Sequence, residues 1–306
     1  MKQRVVIAGG SGFIGRHLSE RLVSGGYDVV ILSRSAKSAA AVRSIEWNGK
    51  TLGSWATEID GAFAVINLAG KSINCHHTNN NRREILRSRV DSVQVLGQAV
   101  SRAPTPPSVF VQTSAVGIYG DTGSRICDES SPHGIDYVAQ VCDQWEGAFE
   151  AIHAPPLRKV ILRLGVVLGS DGGFLPLMAR MTRMFLGGQA GDGRQFISWV
   201  HMKDLCGMFH AAIEYPEVTG TYNGCAPDPV MNQDFMGALR AVLNRPWSPP
   251  VPALAVRMGS WLMGSEGKLA LMGQRALPEH FLKQDFPFEF PILKPALKDL
   301  LGSGSG

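Results

Sequence analysis

Short apolar runs alternate with stretches of helical periodicity through the first half of the chain. Residues 4–8 (RVVIA) and 27–32 (YDVVIL) are apolar runs of strand length, whereas residues 13–23 carry apolar side chains at every third or fourth position. The same patterns predict further strands over 62–68, 108–113 and 159–164 and further helices over 82–102 and 137–152. Strands that alternate with helices predict a parallel sheet with helices on both faces. We therefore expect an α/β protein with a Rossmann-type, doubly wound parallel sheet.

Composition limits the classes of partner and location. The chain has 306 residues, of which 44% are apolar and 18% charged, and a net charge of +4, as in ordinary globular proteins. Lysine and arginine are scattered, so we expect neither a nucleic-acid nor a membrane partner, and no run approaches the ~20 apolar residues of a membrane span. The chain begins without a signal-peptide pattern. We expect a cytoplasmic protein with free thiols at its five widely spaced cysteines, Cys75, Cys127, Cys142, Cys206 and Cys225.

A glycine-rich turn follows the first predicted strand at once and leads into a helix and a second strand. In the spacing G-x-x-G-x-x-G, Gly9 allows the tight turn, Gly12 lets the backbone approach a pyrophosphate, and Gly15 lets the helix pack on the strand. The free N–H groups at the helix start would face the phosphates. This βαβ unit predicts a dinucleotide site formed by Gly9, Ser11, Gly12, Phe13, Ile14 and Gly15.

The end of the second strand distinguishes NADP(H) from NAD(H). An NAD site usually places a carboxylate there to bind the ribose 2′-hydroxyl, but this chain has Ser33-Arg34-Ser35. The guanidinium of Arg34 is suited to pair with a 2′-phosphate, and Ser33 can add a hydroxyl. The sequence therefore predicts NADP(H) as the cofactor, with an exposed arginine after a strand as the alternative interpretation.

The glycine spacing, together with the strand end Asn67-Leu68-Ala69-Gly70, resembles the extended short-chain dehydrogenase/reductase (SDR) family. Members of that family use a serine to orient the substrate, a tyrosine to exchange a proton, and a lysine four residues after the tyrosine. The lysine is needed because a free phenol, with a pKa near ~10, is a poor base at neutral pH.

The catalytic triplet is incomplete in this chain. Segment 113–120 (TSAVGIYG) makes Ser114 the candidate catalytic serine, with Ala115 as the alternative by one residue. Tyr137 is the candidate proton donor, but Val141 stands four residues later.

Counting back from Glu146 gives a second register. It places Val138 and Cys142 at the tyrosine and lysine positions, so neither register supplies a lysine. Tyr137 is thus either a hydrogen-bond or proton donor or an aromatic residue that packs at a helix start. Tyr119, beside the strand end, is a second candidate acid.

A wider set of motifs narrows the resemblance to the atypical extended SDRs named epimerase family proteins, some labelled cell-division-inhibitor-like. The motifs run from Arg4 to about Leu301 and include 88–90 (SRV), 145–146 (WE), 163–169 (RLGVVLG), 172–173 (GG), 191–205 and 226–232. In that family the Y-x-x-x-K motif is degraded while NADP(H) binding is kept. The resemblance implies that the cofactor is lined by Ser33, Arg34, Leu68, Ala69, Gly70, Glu84, Arg89 and Val167.

One segment departs from that family. Its members carry a tryptophan between the Gly70 strand end and the Ser88-Arg89 helix, where this chain has residues 74–81 (NCHHTNNN). His76-His77 lacks further ligands at metal-binding spacing, so we interpret it as an exposed polar loop and predict no metal site.

Beyond Gly165 the alternation loosens and glycine and proline become frequent. We expect residues 1–165, completed by segments within 196–225, to form the NADP(H)-binding Rossmann domain. Residues 166–195 and 226–301 are expected to form a smaller, mostly helical C-terminal substrate region, and 302–306 (GSGSG) a linker remnant.

His201 and Asp204, in the second half, permit a catalytic dyad, but the simpler interpretation makes Asp204 the N-cap of a helix over 205–214 and His201 a buried strand-end residue.

Two functions are consistent with these residues. The first is an NADP(H)-dependent oxidoreductase or epimerase acting on a sugar-like or other small carbonyl or alcohol substrate, with Ser114 orienting the oxygen and Tyr137 assisting proton transfer. The second is an NADP(H)-binding sensor or partner-binding protein with little or no catalysis, which the missing lysine favours.

Overall fold

The computed structural model describes residues 2–35, 42–262, 264, 266–267 and 269–302. Of the predicted linker 302–306, residues 303–306 lie outside the described residues.

The strands of the described part follow in chain order: β1 Arg4–Ala8, β2 Asp28–Ser33, β3 Arg43–Glu46, β4 Ala64–Asn67, β5 Val109–Ala115, β6 Ile126–Cys127, β7 Arg158–Leu164, β8 Val166–Leu168, β9 Phe196–Ile197, β10 Trp199–His201, β11 Gly220–Gly224, β12 Val230–Met231 and β13 Arg275–Ala276. The helices are α1 Phe13–Ser24, α2 Asn79–Arg102, α3 Tyr137–Glu150, α4 Leu175–Arg183, α5 Met202–Glu214, α6 Asn232–Val242, α7 Ala253–Leu262, α8 Glu279–Lys283 and α9 Leu293–Leu301. Among the described residues, no helix is both long enough and apolar enough to cross a bilayer.

Seven of these strands form one parallel sheet in the order β11-β7-β5-β4-β1-β2-β3. The strand β1, which leads into the glycine-rich turn, lies inside the sheet, paired with β2 on one side and β4 on the other. The chain therefore winds outward from β1 in both directions, and the predicted doubly wound α/β class is confirmed. The strand β11, from the second half of the chain, extends the sheet beside β7.

Alternate residues of each strand serve two cores, one on each face of the sheet. Val5 and Ile7 of β1 pack with residues of α1 and α5, whereas Val6 and Ala8 pack with residues of α2 and α3. A third core joins α4, α6 and α9 around the buried side chains of Trp199 and Phe235. The C-terminal elements are thereby held beside the carboxyl edge of the sheet, where α/β proteins bind ligands.

The strand β3 was absent from the sequence prediction. Its residues, RSIE, are half-buried or exposed, because β3 is the edge of the sheet beside β2. An edge strand lacks the continuous apolar run by which the buried strands were recognised.

The interpretation of Asp204 as a helix N-cap was wrong. Helix α5 begins at Met202, and its N-cap is His201, whose Nδ1 accepts the backbone N–H of Lys203 at 3.1 Å. The carboxylate of Asp204 instead accepts the backbone N–H groups of Glu289 and Phe290 at 2.7 and 2.9 Å. The helix starts three residues earlier than predicted, so Asp204 falls in its first turn, and its oxygens fasten the segment that precedes α9.

Candidate functional site

The glycine loop lies between β1 and α1 at the carboxyl edge of the sheet. Gly9 adopts a φ of +77°, and a Cβ there would approach the backbone of Leu68 and Ala69 to 3.0 Å. Only glycine therefore lets the turn pass so close to the end of β4. The packing brings the β1 and β4 strand ends together, as a cofactor spanning this edge requires.

The other two motif glycines have different surroundings. A Cβ on Gly15 would lie 2.5 Å from the Cα of Gly10, whereas a Cβ on Gly12 would meet only the Gly9 carbonyl oxygen, at 3.3 Å. Gly15 is thus required for the packing of α1 on the turn. Gly12 is the N-cap of α1, and a Cβ there has no further non-adjacent neighbour within 4 Å. The first turn of α1, which includes Phe13 and Ile14, carries no acidic side chain. This helix start is suited to bind a pyrophosphate.

Ser33 and Arg34 stand at the end of β2, where Ser33 contacts Ser11. The hydroxyls of Ser11 and Ser33 are 3.0 Å apart, and Ser33 is buried. Arg34 is exposed and forms no ion pair with any described residue. The pair of hydroxyls and the free guanidinium provide polar contacts of the kind that a ribose 2′-phosphate accepts.

The end of β4 is fixed by a buried amide network. Asn67 accepts the backbone N–H of Ala69 at 3.0 Å and donates to Gln112 at 2.9 Å and to Ser92 of α2 at 3.2 Å. Leu68 and Ala69 beyond it are half-buried. These bonds hold the predicted cofactor-lining backbone of 68–70 in one position.

The side chain of Arg89 lies over Gly70 at the end of β4. Its guanidinium donates to the carbonyls of Lys71 and Ile85 at 2.9 and 3.0 Å and lies 4.9 Å from the ring of Trp145. Burial lowers the pKa of Arg89 below its usual value, and within the described part no carboxylate pairs with it. A cation in such surroundings is stabilised by any anionic group that enters the cleft.

The carboxylate of Glu84, by contrast, is already engaged by neighbouring side chains. Its carboxylate pairs with the Lys71 ammonium and accepts Asn80 at 3.0 Å, and these contacts hold its pKa below the usual value. Glu84 is exposed and lies about one turn before Arg89 on α2.

Val167 lies in β8, which pairs with β10 through Val200. The loop after β8 returns to α1. The ring of Phe13 fills a cup made by Gly169, Gly172 and Gly173, at each of which a Cβ would approach the ring within 3.0 Å.

Ion pairs also hold the loop after β8 against α1. Asp171 pairs with Arg16 at 3.1 Å and with His17 at 2.8 Å, and the hydrogen bond from His17 is the main cause of a lowered Asp171 pKa. The sequence prediction included these glycines but missed their contact with the cofactor helix. The available signal was three glycines and an aspartate within five residues after a strand.

Ser114 lies on the face of β5 that α3 covers. It is buried, and among the described residues its hydroxyl completes no hydrogen bond. The thiol of Cys142 lies beside it, and burial raises the pKa of that thiol to about 12. A protonated thiol is a weak hydrogen-bonding partner and cannot replace the lysine ammonium.

The residues that the second register places at the tyrosine and lysine positions face the end of β5. Val138 and Cys142 pack with Ala115 and Val116 in one apolar cluster. A Cβ on Gly117 would approach Val138 to 2.8 Å. Val141 and Cys142 stand at the two candidate lysine positions, so neither position supplies a cation. Arg89 lies close enough to Cys142 to act on its charge, and Arg163 of β7 is the register partner of Ser114.

The side chain of Tyr137 points away from this apolar cluster and towards α2. Its hydroxyl donates to the Arg82 carbonyl at 3.0 Å, and its ring lies 4.8 Å from the Arg82 guanidinium and 5.3 Å from the ring of His77. Burial raises its pKa above the usual value, although Arg82 and Arg89 oppose the shift. The neutral phenol is thus the dominant form at neutral pH.

His76 contacts Trp261 of α7, with ring centroids 5.7 Å apart. The predicted exposed polar loop is thus shorter than expected: residues 79–81 belong to α2, and His76 and His77 are half-buried between α7 and the start of α3. No group of three metal-ligating side chains occurs in the described ranges.

Tyr119, the second candidate acid, belongs to a buried network. Its hydroxyl donates to Asn223 at 2.8 Å and accepts Arg163 at 3.0 Å, and burial raises its pKa to about 12. Arg163 also forms two bonds to the Glu146 carboxylate, at 3.0 and 2.8 Å. Burial opposes the charge on Arg163, but the bonds to Glu146 outweigh it and raise the arginine pKa. This network fastens β7 to α3 and engages the proton and the oxygen of the Tyr119 hydroxyl.

Comparison with known proteins relates this geometry to a family. The model of the NAD dependent epimerase/dehydratase family matches residues 5–224, and a domain of unknown function, DUF1731, matches residues 251–300. The chloroplastic homolog of epimerase family protein SDR39U1 from Arabidopsis thaliana is 35% identical, over 97% of this chain and 86% of its own length.

Two solved structures share the fold over nearly the whole chain. The crystal structure of human epimerase family protein SDR39U1 with NADPH is 32% identical, with a TM-score of 0.88, and the match covers 98% of this chain and 99% of the human one. The nucleoside-diphosphate sugar epimerase from Corynebacterium glutamicum is 30% identical, with a TM-score of 0.80, over 99% of this chain and 59% of the other.

Proposed function

Because this chain belongs to the NAD dependent epimerase/dehydratase family, and within it resembles the epimerase family proteins, we propose that it binds NADP(H) across the carboxyl edge of its sheet. The predicted resemblance to these extended SDRs is confirmed. The observation that carries the proposal is the open backbone at Gly12, at the start of a helix without acidic side chains in its first turn. The NADPH in the human relative supports the same cofactor.

The cofactor would lie along the residues named from the sequence. Gly9 to Gly15 would hold the pyrophosphate, and Ser11, Ser33 and Arg34 would hold the 2′-phosphate. The strand end of Leu68, Ala69 and Gly70 would line the cofactor with Val167, and Arg89 would supply a half-buried positive charge. Glu84 would act through Lys71, because its carboxylate is engaged there.

Arg34→Ala is expected to remove most of a preference for NADPH over NADH. The substitution deletes one charge-assisted contact with the 2′-phosphate, which contributes about 1–3 kcal/mol. Calorimetric titration of both cofactors measures the effect, and NADH affinity should stay unchanged. Arg87→Ala, on the exposed side of α2, is the matched control. Equal affinity of the parent protein for both cofactors would refute the assignment.

For the reaction, we infer hydride transfer between bound NADP(H) and a small carbonyl or alcohol compound, sugar-like in chemistry. When bound, the nicotinamide supplies the hydride. Ser114 has a buried hydroxyl free to orient a substrate oxygen, and Tyr137 has a neutral phenol that can donate a proton. A substrate oxygen would replace the Arg82 carbonyl as its acceptor.

Reduction should be faster than oxidation, and Tyr137→Phe should lower the reductive rate by about 10²–10⁴-fold, the usual contribution of a positioned acid. The reason is that the Tyr137 pKa is raised above its usual value of ~10, so fewer than about one phenol in a thousand is ionised at pH 7. A screen of carbonyl compounds with NADPH, followed by kinetics of the variant, provides the measurement. Tyr215→Phe, at the end of α5, is the control. An undiminished rate in Tyr137→Phe would exclude this residue as the donor.

A second function is favoured by one specific observation. Ala115, Val138 and Cys142 fill the place of the proton relay with an apolar cluster. A protein that binds NADP(H) as a sensor, or binds a partner, needs no relay. If no carbonyl compound is reduced in the screen while NADPH binds, this second function replaces the first.

A further inference from the structure

The exposed apolar side chains of this protein are concentrated in one region. Eight large ones, each more than half exposed, come from two segments: Met184, Phe185, Leu186, Trp247, Leu254, Met258, Trp261 and Leu262. We call this set the apolar patch. Exposed apolar surface of this extent is uncommon and marks a site of interaction.

Contacts between the two segments make the patch continuous. The backbone N–H of Gly191 donates to the Val251 carbonyl at 2.9 Å, and that of Val251 donates to the Gln189 carbonyl at 2.8 Å. The guanidinium of Arg245 lies 5.1 Å from the ring of Phe185. Helix α7 begins two residues after Val251 and so follows directly from this contact.

Most of the apolar residues of helix α7 face solvent, and Trp261, near the end of the helix, also contacts His76. Leu254, Met258, Trp261 and Leu262 occur at positions i, i+4, i+7 and i+8 and so share one face of the helix. Ser260 lies on the opposite face and is buried. The helix is amphipathic, but its apolar face is the one that lies outside.

Arginines are frequent in the two stretches of chain that form the patch. Segments 180–194 and 240–267 contain six, Arg180, Arg183, Arg194, Arg240, Arg245 and Arg257, and only two acidic residues. None of the six forms an ion pair with a described residue. Within the described part, the buried Nε of Arg245 also lacks a hydrogen-bond partner. Six positive and two negative charges give these segments a balance of +4, which equals that of the whole chain.

We propose that the apolar patch and its arginines dock the protein onto a membrane surface that contains anionic phospholipids. Tryptophan and aliphatic side chains on one face of a helix enter the boundary between headgroups and acyl chains, while arginines bind headgroup phosphates. A second copy fits less well, because a two-fold interface would place this positive surface against itself. From the scattered lysines and arginines the sequence predicted no membrane partner; the six arginines named above belong to the same two segments as the exposed apolar residues.

Vesicle flotation tests the proposal. We expect the protein to bind vesicles of phosphatidylcholine that contain about 30 mol% phosphatidylglycerol, and to bind pure phosphatidylcholine at least about tenfold less. Raising the salt concentration should weaken binding to the anionic vesicles, because screening acts on the arginine contacts. Failure to bind anionic vesicles at low salt, or equal binding to both compositions, overturns the proposal.

Variants of the protein separate the apolar and the charged contributions to vesicle binding. Leu254→Asp and the double variant Arg183→Glu, Arg257→Glu should each reduce binding about tenfold or more. Ile135→Asp, at a 91% exposed isoleucine outside the patch, should bind as the parent does. Circular dichroism confirms that each variant is folded. Undiminished binding by Leu254→Asp overturns the proposal, as does a lipid-free dimer, measured by sedimentation, that Leu254→Asp dissociates.

Discussion

Gly12→Val is expected to abolish NADPH binding while the sheet remains folded. Apart from its chain neighbours, a Cβ at this position meets only the Gly9 carbonyl oxygen, at 3.3 Å, so a shift of a few tenths of an ångström in the turn accommodates it. On the outer side, the same side chain occupies the space through which a pyrophosphate must approach the helix start. Fluorescence titration with NADPH should detect no binding, and circular dichroism should show the parent spectrum.

Two other glycines provide matched controls. A Cβ at Gly147, in α3, would meet no neighbouring element within 4 Å, so Gly147→Ala should bind NADPH as the parent does. Gly15→Ala should destabilise the protein itself, because its Cβ would lie 2.5 Å from the Gly10 Cα. Parent-like NADPH affinity in folded Gly12→Val would show that the cofactor lies elsewhere.

Glu146→Ala is expected to lower the free energy of unfolding by about 3–5 kcal/mol, the cost of leaving one member of a buried ion pair alone. Both side chains of the pair are 5% exposed, and the variant would leave the Arg163 guanidinium without its carboxylate. The loss should exceed that of an ordinary surface substitution several-fold. Urea unfolding followed by circular dichroism measures it.

Glu150→Ala is the control for that experiment, because Glu150 lies about one turn later on α3 and is exposed. Its loss should stay within about 0.5 kcal/mol. Similar unfolding free energies for the two variants would mean that the pair contributes nothing beyond solvent-exposed charges. A further variant, Glu146→Gln, retains the shape of the side chain and should lie between the two.

Much of the fold followed from the sequence, because buried parallel strands are continuous apolar runs. The predicted strand 4–8 coincides with β1, and the predicted helix 82–102 lies within α2, which starts at Asn79 after the Thr78 cap. The edge strand β3 could not be recognised, since its residues are half-buried or exposed and carry no such run. The start of α5 was misplaced because a histidine, not an aspartate, caps it.

The site was less predictable than the fold, since side-chain direction depends on tertiary contacts. The missing lysine is evident from the sequence, and so are the motif glycines. The sequence left open whether Tyr137 and Val141 or Val138 and Cys142 occupy the tyrosine and lysine positions of the family motif. In the structure, Val138 and Cys142 face the β5 end, whereas Tyr137 faces α2. No local pattern indicates that Arg89 would lie over Gly70, or that Arg245 would lie over the ring of Phe185.

The glycine cup around Phe13 has a consequence for protein engineering. Because the ring occupies the space of three absent side chains, residue 13 and the glycines at 169, 172 and 173 constitute one steric unit divided between two distant motifs. A smaller residue at 13 would open a cavity, and a side chain at any of the three glycines would need that cavity. Transplanting this cofactor loop into another scaffold would therefore require the distant loop to be transferred with it.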